Sequence, residues 1–263
     1  MREKIFNSGY LFMIILSLAA FIFIIGTLIG FESEVDSRKP LGSFSGSSYS
    51  GDRDKEGEVV SELSTLDKDK IKINAPGTEV VFDSDKEGVS VTDKLEVRIK
   101  GNRIYVNSEE EREQLDDQKA VIGSDKNFRL VEIESAGNYL RGQVSTEELA
   151  VEGAGVKLDM DLQGRELRVE GAGVELLGKY DVETMFLEGM GVSATVEINN
   201  TEQIEMSGMG ISGDITYLDT WEGSRSITAS GMGGEITVKY PEDNKGNLRQ
   251  NNEGSMNINV ERY

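Results

Sequence analysis

The chain contains no cysteine and no histidine. Without cysteine there is no disulfide, no thiolate metal site, no cysteine nucleophile and no lipid-modified N-terminal cysteine. Without histidine the commonest general base and the commonest transition-metal ligand are missing. A Ser-His-Asp triad cannot be assembled within this chain. Proline is scarce, at 3 of 263 residues, which suits long strands. Basic residues are also in deficit: 28 Lys and Arg stand against 48 Asp and Glu, for a net charge of −20. Nucleic-acid phosphates need a basic surface, so no nucleic-acid partner is expected.

Glycine, by contrast, is plentiful at 30 residues, and it is periodic. The phrase Leu149-Ala150-Val151-Glu152-Gly153-Ala154-Gly155-Val156 returns at Leu167–Val174, Met185–Val192, Ile204–Ile211 and, more loosely, Ile227–Gly234. A degenerate copy, Val131 to Gly137, lies one period upstream. The repeated pairs are Gly153 and Gly155, Gly171 and Gly173, Gly189 and Gly191, Gly208 and Gly210, and Gly231 and Gly233. Steps of about 18 to 19 residues mark a stacked repeat.

Apolar residues alternate before each pair, as in Leu167 and Val169, and after it, as in Val192, Ala194, Val196 and Ile198. Period two means strand with one buried face. The phase slips by one at Gly-x-Gly, so the chain turns a corner there, and glycine tolerates the positive φ such a corner needs. The residues between the glycines (Ala154, Ala172, Met190, Met209, Met232) are expected to point into the core. Each rung is strand, corner, strand, turn, and one rung cannot bury its own face. The fold class is therefore all-β: a β-solenoid, parallel β-helix-like, of about 18-residue rungs with a Gly-x-Gly corner at roughly 4.8 Å per rung. One N-terminal transmembrane helix is expected in addition.

That helix is read from Leu11–Phe31, which is uncharged and almost wholly apolar. As a helix it would be about 32 Å long, against roughly 30 Å of bilayer hydrocarbon. A cleaved signal peptide and a buried soluble helix are the alternatives. Arg2 and Lys4 precede the span, and Glu32, Glu34 and Asp36 follow it, which places the N-terminus in the cytoplasm. The expected organisation is a cytoplasmic tail over 1–9, an anchor over 10–31 and a flexible Gly/Ser and charged linker over 32–66. A β-rich lead-in or N-terminal cap over 67–130 follows, then solenoid repeats with a C-terminal cap strand over 131–263. Within the lead-in, Gly101-Asn102 between alternating runs predicts a hairpin. Pro241–Gly254 reads as a loop, and Met256, Ile258 and Val260 as a last strand.

The segment Lys72-Ile73-Asn74-Ala75-Pro76-Gly77-Thr78-Glu79-Val80, the run Leu95 to Val106 and the five Gly-x-Gly rungs together resemble a bacterial putative-adhesin family, also described as β-strand-repeat envelope domains of unknown function. The resemblance covers roughly residues 70–240. It implies a right-handed β-solenoid-like domain, anchored in or exported across the cell membrane, and it carries over no catalytic residue.

Three constellations bear on chemistry. Glu134, Glu152, Glu170 and Glu188 fall at one rung position; such a ladder either recruits a hard cation or splays into solvent, offset by Lys157 and Arg168. The Met column is either core filler or a soft-metal site. The longer step from Gly210 to Gly233 places an insertion at Leu218–Arg225, which contains the only tryptophan. Trp221, Glu222 and Arg225 are the candidate ligand-binding residues, because insertions in a solenoid bulge from one face and Trp favours stacking. The alternative is that Trp221 folds back over a gap in the core. No catalytic residue, metal site or cofactor is assigned. The expected function is a membrane-anchored, non-catalytic binding or adhesion surface outside the membrane, with an envelope protein or a glycan as partner. The alternatives are an envelope-stress sensor acting through membrane partners and, more remotely, a polysaccharide-active enzyme.

Overall fold

The computed structural model describes residues 68–108, 118–125 and 127–263. The Leu11–Phe31 span, its flanking tail and the linker lie outside the described residues. Among the described residues no helix is long and apolar enough to cross a membrane.

Among the described residues, thirteen strands form one wound sheet. They are β1 (Lys70–Asn74), β2 (Glu79–Asp83), β3 (Val89–Val91), β4 (Leu95–Lys100), β5 (Arg103–Ser108), β6 (Lys119–Gly123) and β7 (Asn127–Glu134). The longer strands follow: β8 (Tyr139–Ala154), β9 (Lys157–Asp181), β10 (Thr184–Asn199), β11 (Gln203–Tyr217), β12 (Ser224–Tyr240) and β13 (Asn247–Arg262). From β7 to β13 each strand pairs in parallel with the next, and equivalent residues stack: Leu149 on Leu167, Leu167 on Met185, Met185 on Ile204 and Ile204 on Ile227. This is a β-solenoid. The left-handed glycines Gly137, Gly155, Gly173, Gly191, Gly210 and Gly233 (φ +64° to +73°) mark successive corners.

The alternation read from sequence is the packing. Leu167, Val169, Val174 and Leu176 on one rung are buried, as are Met185, Leu187, Val192 and Ala194 on the next. Each fully buried Leu, Val or Met contributes about 1.5–3 kcal/mol over leaving it in water. Since each rung covers its neighbour, these contributions exist only in the stack.

The corner differs from expectation in one respect. Ala154, Met209 and Met232 face solvent, and Ala172 and Met190 are half-buried. The inward slot of the corner belongs instead to the first glycine of each pair. A Cβ on Gly171 would lie 1.8 Å from the Gly153 carbonyl oxygen and 3.4 Å from Val174 Cγ2. No side chain fits there. The slip in phase is taken up by two consecutive outward residues, the middle residue and the left-handed glycine, before Val156 or its equivalent turns inward again.

The N-terminal part is more closely joined to the stack than a separate lead-in would be. The β1–β2 rung bends at Pro76-Gly77, where Gly77 takes φ +68°, and it is itself a rung of the solenoid. Strand β1 pairs in parallel with both β5 and β7, and β2 with both β6 and β8. The rung formed by β5 and β6 therefore lies beyond the first rung, out of chain order. Its outer edge is closed by antiparallel partners: β4 on β5 through the expected Gly101-Asn102 turn, and β3 on β6. At the other end the predicted loop over 241–254 is shorter than read. Asn247–Gly254 is strand, and β13 is a full terminal rung on β12. Its inward slots before the corner hold Gln250 and Asn252, so no apolar alternation announced it.

Candidate functional site

The Leu218–Arg225 insertion lies between β11 and β12. Trp221 is not displayed on it. The side chain is 7% exposed, and its ring meets Tyr217 at 5.0 Å and Tyr240 at 5.6 Å between centroids. It also packs against Gly246, where an added Cβ would come within 2.2 Å of Trp221 Cδ1. The Trp221 amide donates to Asn244 Oδ1 at 2.8 Å. The insertion thus folds back and is covered by the turn before β13.

Arg225 is buried with it. Its guanidinium donates to both carboxylate oxygens of Asp219, at 2.9 and 2.5 Å, and lies over the rings of Trp221 (4.4 Å) and Tyr217 (5.2 Å). A bidentate, ring-stacked guanidinium is held in place by its own chain. Of the three predicted ligand-binding residues only Glu222 is exposed. The structure brings Trp221 and Arg225 together as a packed cluster and leaves no open ring face on which a sugar or side chain would stack.

The glutamate ladder is in register: Glu134 stands beside Glu152, Glu152 beside Glu170, and Glu170 beside Glu188. The last three are exposed. The expected counter-charges pair elsewhere, Lys157 with Glu175 at 3.1 Å and Arg168 with Glu166 at 2.9 Å. Among the described residues, only the first rung of the ladder is neutralised. Lys72 reaches Glu134 at 2.6 Å and Glu132 at 3.4 Å, and Arg103 reaches Glu132 at 3.0 Å. The Lys72 ammonium, hydrogen-bonded to Glu134, lowers that carboxyl below its ordinary range. Among the described residues no cluster of acidic side chains has metal-site geometry.

Beside the ladder runs a feature that sequence reading assigned to the core. The middle corner residues stack in register, Ala154 on Ala172, Ala172 on Met190, Met190 on Met209 and Met209 on Met232. They make an apolar ridge parallel to the solenoid axis. Met209 is 40% exposed and Met232 65%. The signal was present in the sequence, since two adjacent outward residues also satisfy a one-residue phase slip. Large exposed apolar side chains in a continuous line are uncommon on a free surface and mark contact sites. Thioether chains are also adaptable, which suits them to irregular partners.

Open clefts also lie elsewhere on the described residues. One, of about 490 Å³, is lined by Asp83, Arg141, Gln143, Asp159 and Asp161 among others. The second, of about 600 Å³, includes Asp69, Arg129, Gln163, Arg165, Asp181 and Asn200. In the second, Arg129 lies 3.7 Å from Asp69, and Asn200 donates to Asp181 at 2.8 Å.

No protein-family model matches the chain, and no curated protein does. Solved structures similar to it include two with adhesion descriptions. One is described as a putative adhesin from Bacteroides fragilis NCTC 9343, with 16% identity over 74% of this chain and 93% of that chain and a TM-score of 0.48. The other is described as a putative cell adhesion protein from Clostridium sporogenes ATCC 15579, with 11% identity over 78% and 97% and a TM-score of 0.26.

Proposed function

We propose that the protein is a single-pass, membrane-anchored β-solenoid held outside the cytoplasmic membrane, where it presents a rigid, non-catalytic surface for binding or adhesion. The observation that carries this reading is the corner ridge from Ala154 to Met232. It is apolar, and its members are held in line by in-register parallel pairing from Ala154 to Met232. A partner that docks along it meets side chains already held in line, so little backbone ordering opposes binding. The exposed glutamates Glu152, Glu170 and Glu188 on one flank favour a partner with basic groups and disfavour anionic surfaces. The uncharged Leu11–Phe31 run behind Arg2 and Lys4 supports the anchor and the outward placement.

The reading is tested by placing a photoreactive residue at 232, at 209 and, as a control, at the outward position 237, and irradiating intact cells. An adduct of defined mass from 232 and 209, absent at 237, is expected. Equal labelling at all three positions, or none at any, would overturn the ridge as the binding surface.

A further inference from the structure

The two ends of the solenoid are finished differently. At the N-terminal end, antiparallel β4 and β3 close the outer rung. At the C-terminal end, among the described residues, β13 pairs with β12 alone, which leaves the other edge of Asn247–Arg262 open. Proteins usually protect such an edge with lysine, proline or a closing strand. This strand has neither lysine nor proline.

We propose that the β13 edge is a self-association surface, on which a second copy of this chain stacks end to end about a two-fold axis through Ser255. Charge points to a second copy. In a chain of net charge −20, this rung is locally neutral, with Arg249 and Arg262 against Glu253 and Glu261. The contact therefore avoids the repulsion that two copies meet elsewhere. The order of the charges is also self-complementary. With the axis at Ser255, Arg249 faces Glu261 of the second copy, Asn251 faces Asn259, and Glu253 faces Asn257. All six of these positions lie on the outward face of the two arms of the strand. A two-fold contact uses the same patch twice, so each such pair forms twice.

The backbone permits the same register. Asn247 and Tyr263 donate their amides toward the β12 side, to the oxygens of Gly223, just before β12, and of Tyr240, at 2.7 and 3.1 Å. By alternation, Leu248, Gln250, Asn252, Ile258 and Val260 turn theirs to the open edge. In the proposed register Gln250 faces Val260 and Asn252 faces Ile258, so edge-facing groups meet edge-facing groups, as an antiparallel ladder requires. Strand β13 bends at Gly254 (φ +83°) and has two arms of similar length, so the axis at the bend exchanges one arm for the other. The last apolar layer, Met256 and Ile258 with the half-buried Leu248 and Val260, is then covered by the second copy.

The absence of native cysteine makes the test direct. Asn251→Cys and Asn259→Cys are introduced singly and together in the full chain in detergent, under mild oxidation. Residues opposite each other at a non-hydrogen-bonded pair lie about 4.5 Å apart between Cα atoms, within disulfide reach. A covalent dimer from the double variant, and from neither single variant, is the expected result. Sedimentation of the cysteine-free chain gives the second readout. Wild type runs as a dimer, Arg249→Glu shifts it to monomer by at least tenfold in dissociation constant, and Arg249→Glu with Glu261→Arg restores the dimer. A double-cysteine variant that crosslinks no better than the singles, or a charge swap that fails to restore the wild-type mass, would overturn the proposal.

Discussion

The carbonyl oxygen of Gly153 occupies the space where a side chain on Gly171 would begin, 1.8 Å from the place of its Cβ. Two residues on, Gly173 has ordinary clearance, with nothing nearer than 3.8 Å, but takes φ +65°. The two glycines of one corner are thus required for different reasons, one by the neighbouring rung and one by its own backbone. Gly173→Ala should cost about 1–2 kcal/mol, the penalty of a left-handed non-glycine residue, and Gly173→Asn less, because Asn tolerates that region. Gly171→Ala should cost more than either, since backbone must move. Denaturant unfolding of the three variants checks the order; equal losses would remove the distinction.

Trp221 tests the insertion. Its ring lies between Tyr217, Tyr240 and the Arg225 guanidinium, so its emission should be blue-shifted and poorly quenched by added iodide. Trp221→Ala should lose about 3–5 kcal/mol of stability, as large-to-small aromatic changes in cores do. Arg225→Leu, which leaves Asp219 without its partner, should also destabilise. A red-shifted, readily quenched tryptophan would show instead that the insertion opens to solvent.

Burial pushes the hydroxyls of Tyr180 and Tyr217 well above the ordinary tyrosine range. At Tyr180 the nearby Asp159 and Asp161 add to this; at Tyr217 Arg225 opposes it and Asp219 adds. A raised folded pKa means that the unfolded chain releases these protons first. The contribution to stability is complete below the unfolded value of about 10 and is lost as pH rises above it. Ultraviolet difference titration should therefore leave two of the tyrosines un-ionised until the fold is lost. Tyr180→Phe, which also removes a hydrogen bond to the Leu177 oxygen, should lessen the alkaline loss. A wild-type titration complete near pH 10 with the fold intact would contradict the burial.

How much of this was legible beforehand follows from the range of the interactions. The Gly-x-Gly period, the alternating core, the in-register glutamates and the Gly101-Asn102 hairpin are local or strictly repeated, and sequence carries them. The threading of the β1–β2 rung between β5–β6 and β7–β8 is a long-range choice with no local mark. Strand β13 was hidden because Gln250 and Asn252 stand in slots that other rungs fill with residues such as Ile227 and Ala229. The outward ridge was misassigned because a phase slip alone does not say which residue is skipped. Trp221 was found as a singular residue, but its cover, Asn244 to Gly246, comes from the next rung.

The anchor rests on sequence. The full chain should fractionate with membranes, and protease added to cells stripped of their outer layers should remove the β-domain. Recovery of a soluble chain beginning near residue 32 would identify Leu11–Phe31 as a cleaved signal instead.

Methionine footprinting tests the central claim most directly, because buried and exposed methionines lie in the same rungs. In the purified chain Met232 and Met209 should oxidise readily with dilute peroxide, while Met185 and Met206, at 0% and 1% exposure, stay reduced. In intact cells, where the partner is present, the account predicts that Met232 and Met209 are protected at least several-fold relative to the purified chain. Equal oxidation of the two ridge methionines in both settings would contradict it.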